Sequence, residues 1–168
     1  MEVRMFVTSL ATATRAWRER TIAELQDLGC TDLSYRPCTG MSAYGWLLAH
    51  QGAAYDYTVN MLIKQQPPKN PGMFYLYRGD STDTGDWKGT PLDEIYSYFD
   101  SVEKDFIEWF ESAADEELNR ILEGPSTPEY FKGKRVMDAI TDMFAHLNHH
   151  NGHLSALKVD WYRKKYGK

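Results

Sequence analysis

The stretch MFAHLNHHNGHLSALK, residues 143–158, carries four of the chain's five histidines: His146, His149, His150 and His153. Around it runs a walkable apolar seam of Val136, Ile140, Met143, Leu147, His150, Leu154, Leu157 and Trp161. Its steps alternate between four and three residues, the spacing of one buried face of a long helix. His150 occupies a seam position that every neighbour gives to an apolar side chain. His146 and His153 flank the seam, and His149 falls on the outer face. The pattern predicts a helix from about Arg135 to Tyr162 with at least two imidazoles turned inward.

The fifth histidine, His50, lies in YGWLLAHQGAAYDY. There the seam Ala43, Leu47, His50, Ala54, Tyr57 and Met61 again places an imidazole in line. This second helix is expected from Ala43 to about Gln65, with Ser42 as its N-cap. A buried imidazole without a partner costs of order 1–3 kcal/mol. Two readings meet that cost: core histidines bonded to a carbonyl or a tyrosine, or ligands of one metal ion. His146 and His150, four apart, share a helical face, and His50 supplies a third ligand from across the fold. His149 and His153 have the same spacing, but the seam sends His149 outward. Three ligands leave a coordination position open, as in catalytic zinc sites. Imidazole also suits nickel, iron and copper.

The rest of the chain reads as helix as well. A first helix is expected from Phe6 to Leu28, with Phe6, Leu10, Ala13, Trp17, Leu25 and Leu28 near one face. Gly29, Pro37 and Gly40 break the stretch that follows it. The run QPPKNPG, residues 66–72, ends the second helix, because proline cannot donate the helical hydrogen bond and restrains the residue before it. The aromatic-rich crossover, residues 73–89, offers Phe74, Tyr75, Tyr77 and Trp87 as a lid, a dimer surface or simple packing. Thr90 as N-cap, Pro91, Asp93 and Glu94 open a third helix, whose seam is Leu92, Ile95, Phe99, Val102, Phe106 and Trp109. A short extra turn is expected near Asp115. Four amphipathic helices joined by short and long connections predict an all-α four-helix bundle with a long crossover between helices 2 and 3, one domain over residues 1–168.

Composition narrows the function classes. A net charge of -5 with scattered Lys and Arg lacks the broad basic face of a nucleic-acid binder. No apolar run reaches the ~18 residues of a membrane span, and the N-terminal residues lack the unbroken apolar core of a signal peptide. The expected location is cytoplasmic, with no nucleic-acid or membrane partner. Cys30 and Cys38 lack a CxxC spacing and read as free thiols.

The paired histidines with Gly152 in HLNHHNGHL, and His50 at the end of WLLAH, resemble the DinB/YfiT-like superfamily. That family carries H-x-x-x-H-R-G-Q and an apolar residue on its fourth helix, and a single histidine on its second. The lead-in TDLSYRPCTGMSAYGWLLAH, residues 31–50, and ADEELNR, residues 114–120, are similar to the family too. Asn151 stands where the family has Arg, and His153 where it has Gln. The resemblance implies a metal-binding four-helix bundle that holds a divalent transition metal, zinc or nickel first and iron after them, on His50, His146 and His150. It also implies a metal-dependent transferase using a low-molecular-weight thiol such as bacillithiol or mycothiol, and a homodimer. The alternative is a non-catalytic stress-response module with a structural metal or a bound small ligand.

Within an enzyme reading, His153 is the candidate proton-shuttling catalytic residue, one turn from His150. Trp46 and Tyr57 are candidates to bind a cofactor or substrate, against a plain packing role for both. Asp142, four residues before His146, is a candidate to orient an imidazole, against a solvated carboxylate.

Overall fold

In the computed structural model, which describes residues 2–79 and 85–167, the chain is all-α. Helix α1 spans Glu2–Asp27 and α2 spans Tyr44–Asp56. A π-helical segment, Tyr57–Ile63, extends α2. Then come α3 (Pro71–Tyr77), α4 (Leu92–Ser112), α5 (Asp115–Asn119), a 3-10 turn (Glu129–Phe131) and α6 (Val136–Tyr166). No strand forms among the described residues. One isolated bridge, Ile121 to Arg135, closes the loop before α6. None of the helices is long and apolar enough to cross a membrane.

Each helix end has a local cause. At the end of α1, Gly29 adopts φ 72°, Cys30 N–H reaches the Leu25 carbonyl at 2.9 Å, and Gly29 N–H reaches Gln26 at 2.8 Å. This is the paired C-terminal lock that a left-handed glycine permits. Ahead of α3, the Asn70 side chain accepts from Met73 N–H at 3.1 Å, and Pro71 sits where its missing N–H costs nothing. For α6, Asp138 turns back to accept from the Arg135 backbone N–H at 3.0 Å. Helices α2 and α4 begin one residue later than the sequence suggests, after Ala43 and Pro91, and neither has a side-chain cap bond.

The four long helices pack α1 on α6, and α2 on both α4 and α6. Side-chain bonds give the directions. Thr14 meets Asn148 and Asn151, while Leu28 meets Trp161 and Lys165, so α1 and α6 run the same way. Gly52 lets α2 approach α4 closely: a Cβ there would lie 2.9 Å from the Tyr98 ring. The core includes Leu25, Leu47, Leu48, Ile95, Phe106, Ile140, Phe144 and Leu147.

The inward face of α1 differs from the expected one. Val7, Ala11, Thr14, Arg18, Thr21, Ile22 and Leu25 are buried, whereas Phe6 is 62% and Trp17 53% exposed. The buried face is polar because its partners are polar. Asn148 donates to Thr14 Oγ1 at 3.0 Å, Asn151 donates to the Thr14 carbonyl at 3.2 Å, and Arg15 pairs with buried Glu103 on α4.

The crossover between α2 and α4 is fastened at a single buried carboxylate. Asp56 accepts from Asn60 at 2.8 Å, Lys69 N–H at 2.7 Å, Asn70 N–H at 3.3 Å and the Tyr98 hydroxyl at 2.9 Å. Four donors satisfy a charge that burial would otherwise penalise heavily. Phe74 and Tyr77 are buried by this arrangement, and Tyr75 stays exposed. Residues 80–84 of the crossover lie outside the described residues.

Candidate metal centre

Two helices bring three imidazoles to one point. His50 on α2 and His146 and His150 on α6 place ligand nitrogens within 4.8 Å of one another. His146 Nε2 lies 2.9 Å from His50 Nε2 and 3.1 Å from His150 Nε2. The seams in both helices continue through these residues: Leu47 and Leu147 are fully buried beside them, as is Leu154 beyond. His149 is exposed, as its place on the outer face predicts.

The proton count at this junction cannot be satisfied by protein alone. His50 Nδ1 lies 2.7 Å from the Tyr77 carbonyl, which can only accept, so Nδ1 carries the proton and Nε2 presents a lone pair. His146 Nε2 faces that lone pair and also His150 Nε2, and one N–H can donate to only one of them. His150 Nδ1 is buried without any hydrogen-bond partner. A cation taking three lone pairs removes the conflict. Nitrogens on a tetrahedral zinc at ~2.0–2.1 Å lie about 3.3–3.4 Å apart. The His146 nitrogen therefore needs to part from each of the other two by only a few tenths of an ångström, and the His50–His150 pair already lies within 4.8 Å. The residues fit a divalent transition metal.

Electrostatics supports the same state. Burial pushes the His50 imidazole down to about 4, against a raising bond to Tyr77 and with further lowering by His146. Burial also lowers His150, to about 2, with His50, His146, His153 and His149 adding to it. His146 is lowered by burial and then by His149. All three are neutral at pH 7, the form that ligates metal.

The supporting residues are specific. Trp46, one turn before His50, stacks on it with centroids 4.2 Å apart and planes 11° apart, and meets the His150 ring edge-on at 6.0 Å. The stack and the Tyr77 carbonyl together fix the orientation and tautomer of His50. His50 and His146 line a cavity of about 790 Å³ that opens beside them. Trp46 and Tyr57, both candidates from the sequence, line it as well, and so does Asp142. Asp142 is held by Lys134 at 2.9 Å and the Tyr130 hydroxyl at 3.2 Å.

His153 takes a different place. Its ring lies 5.4 Å from His150 and 4.3 Å from His149, it is not part of the three-nitrogen group, and it does not line the cavity. Asn151, at the family's Arg position, is buried against α1 and α2, bonded to Thr14 and Gln51. Cys30 and Cys38 are both free, Cys30 buried and Cys38 exposed, and burial raises the Cys30 thiol to about 11.

A sequence profile of the DinB superfamily matches residues 13–154, which include all three histidines, the whole of α2 and the first part of α6. The chain belongs to the DinB superfamily. No curated protein and no solved structure matches it. For this DinB protein, the reading from spacing named the three histidines that the fold brings together but missed several wall residues. Phe131 and Tyr130 come from the loop before α6, and Arg78 and Lys88 from the ends of the crossover. The Tyr77 carbonyl was invisible too, because a main-chain acceptor leaves no mark in the residue pattern. The aromatic pair in PEYFKG, residues 128–133, was the one available signal, since solvated loops seldom carry adjacent aromatics.

Proposed function

We propose that this DinB protein is a metal-dependent enzyme of the low-molecular-weight-thiol S-transferase type. The observation that carries the reading is the convergence of three neutral imidazole nitrogens on the wall of an open cavity, with His50 Nδ1 already committed to Tyr77. No fourth His, Cys, Asp or Glu joins that group among the described residues, which supports a centre with room for a ligand.

A divalent transition metal, zinc or nickel in first place and iron after them, would supply a lowered pKa for a thiol or water bound to it. The protein's own part is positional. His50, His146 and His150 hold the ion, and Trp46 keeps His50 in its ligating orientation. Tyr57 and Trp46 offer aromatic faces to the substrate. His153, 5.4 Å from the His150 ring and outside the cavity wall, relays the released proton to solvent without touching the substrate. The thiol sulfur forms a bond to an electrophilic carbon, the leaving group departs with the electron pair of the broken bond, and the thiol proton goes to solvent.

The same reading extends to architecture. We infer that the four long helices constitute a four-helix bundle whose second and third members are joined by the long crossover, in one domain acting in the cytoplasm. The exposed stripe of Phe6 and Trp17 on α1 supports a homodimer through that face. The expected partners are a small-molecule substrate and a thiol, not nucleic acid or membrane.

Elemental analysis of tag-free protein and of His50→Ala, paired with a thiol-transfer assay, tests the function. The assay follows chloride displacement from 1-chloro-2,4-dinitrobenzene with bacillithiol, mycothiol, cysteine and glutathione in turn. About one metal per chain and metal-dependent turnover, both absent from the variant, are expected. One metal per chain with no turnover for any thiol would leave a structural metal in a stress-response module.

A further inference from the structure

Among the described residues, the wall of the cavity carries unbalanced positive charge. Arg78, just after α3, and Lys88, just before α4, both line it. Neither has a carboxylate partner among the described residues. Arg78 instead lies over the ring of Tyr75, another lining residue, at 4.9 Å from its centroid. In a chain with net charge -5, this is unusual company. Most other Lys and Arg side chains among the described residues sit in ion pairs, including Arg15, Arg36, Lys69, Arg120 and Lys158. Asp142, the one lining carboxylate among the described residues, does not neutralise the pair, because Lys134 and Tyr130 already hold it.

Much of the remaining wall is apolar and aromatic, with Trp46, Tyr57, Met61, Phe74 and Phe131 beside Thr58, His50 and His146. Its volume of about 790 Å³ lies within the range of small-molecule sites. Aromatic faces select a flat apolar body, and two cations with no carboxylate partner among the described residues select a negative group on it. A small inorganic anion would leave the aromatic wall bare. A neutral apolar compound would leave the cations without a counter-charge.

We propose that this cavity takes an organic anion with an apolar, preferentially aromatic body, its carboxylate, sulfonate or phosphate held by Arg78 and Lys88. The identification of its reacting end with the His50–His146 side of the cavity rests on the metal-enzyme reading; the charge selection does not.

Two fluorescent probes with the same ring system test it: 8-anilinonaphthalene-1-sulfonate, and the uncharged N-phenyl-1-naphthylamine. Wild-type protein is expected to bind the sulfonate more tightly. In the double variant Arg78→Gln/Lys88→Gln, the sulfonate Kd should rise about fivefold or more, while the Kd of the neutral probe stays within about twofold. Ala54→Phe, which fills the cavity from α2, should weaken both. Both positions 78 and 88 are exposed, so the double variant is expected to keep its thermal midpoint.

No sulfonate binding to wild type, equal affinity for the two probes, parallel loss of both in the double variant, or unchanged sulfonate affinity in Ala54→Phe each overturns the proposal. Metal content measured on the same samples separates the two readings. Charge selectivity without metal removes the enzyme reading and leaves the anion site, and metal without selectivity does the reverse.

Discussion

His50 and Tyr77, 27 positions apart, are joined by a 2.7 Å hydrogen bond from the imidazole Nδ1 to a main-chain carbonyl. The acceptor belongs to the backbone of α3, so no side-chain substitution at position 77 removes it directly. What can disturb it is a shift of α3 as a body. The tautomer of a metal ligand is thus controlled by how well a seven-residue helix is anchored.

That anchoring is open to test at Asn70. Its side chain caps α3 through Met73 N–H. Asn70→Ala is expected to cost about 1 kcal/mol in stability and to weaken metal binding by up to about tenfold through the loosened carbonyl. Asn70→Asp retains the acceptor and should retain both. Chemical denaturation and competition against a chromophoric chelator measure the two effects. Lost stability with unaltered metal affinity would uncouple α3 from the centre.

Removal of a ligand should separate cleanly from removal of a neighbour. His50→Ala, His146→Ala and His150→Ala are each expected to lose more metal affinity than the ~10–100-fold that a supporting residue is worth. His149→Ala, altering an exposed ring outside the group, should keep one metal per chain. Elemental analysis of the four variants decides this. Equal loss in the His149 protein would place the ligand face of α6 one residue further round.

Metal-free protein should be acid-sensitive in a defined window. The His50 imidazole titrates near 6.5 when unfolded and at about 4 when folded. Below pH 6.5 the unfolded chain takes up a proton that the folded chain refuses. The stability present above pH 6.5 is therefore lost as pH falls toward 4. His50 alone contributes about 3 kcal/mol of this loss. Urea midpoints from pH 7.5 to 4 give the slope, and His50→Leu should reduce it, leaving the part that His150 and His146 contribute.

Arg18 offers a stabilising change. It is buried on α1 with its guanidinium 3.8 Å from the Phe99 ring centroid, yet Nε and Nη2 have no hydrogen-bond partner. Glu103 keeps its bonds from Arg15 and from Tyr55 at 3.3 Å and would lose only the weaker attraction of the Arg18 charge. Arg18→Met keeps the volume and removes the desolvation cost of a buried cation, so a gain of about 1–2 kcal/mol is expected. Thermal unfolding measures it, and a fall in midpoint would mean that the contact with Phe99 outweighs that cost.

The histidine centre was legible because α6 and the first half of α2 obey a local rule: a seam of apolar residues fixes the bearing of any imidazole within it. The face of α1 was not. Hydropathy points to Phe6, Leu10, Ala13 and Trp17, whereas the buried side carries Thr14, Arg18 and Thr21. Thr14 and Arg18 are inward because Asn148, Asn151 and Phe99 lie on other helices to receive them, and no window along one helix contains that information; Thr21 bonds the Trp17 carbonyl of its own helix. Glu103 escaped notice for the same reason, sitting beside the Val102 and Phe106 seam with its partners on α1 and α2. The cavity is legible only in three dimensions, since its wall is drawn from α2, the crossover, the loop before α6 and α6 itself.

The π-helical turn that follows α2 carries a consequence for how this pocket varies. Leu47 and His50 point into the core, but further along the same stripe Tyr57 and Met61 are half-buried and line the cavity. A π turn accommodates one residue more than an α turn. Deleting a single residue between positions 57 and 63 would swing every later side chain of that segment by about 100°, while His50, upstream, keeps its bearing. The helix is thus divided into a fixed half that carries His50 and an adjustable half that is re-aimed by length. Insertions and deletions, rather than substitutions, are the cheapest way for such a chain to resurface its pocket and leave the histidine cluster untouched.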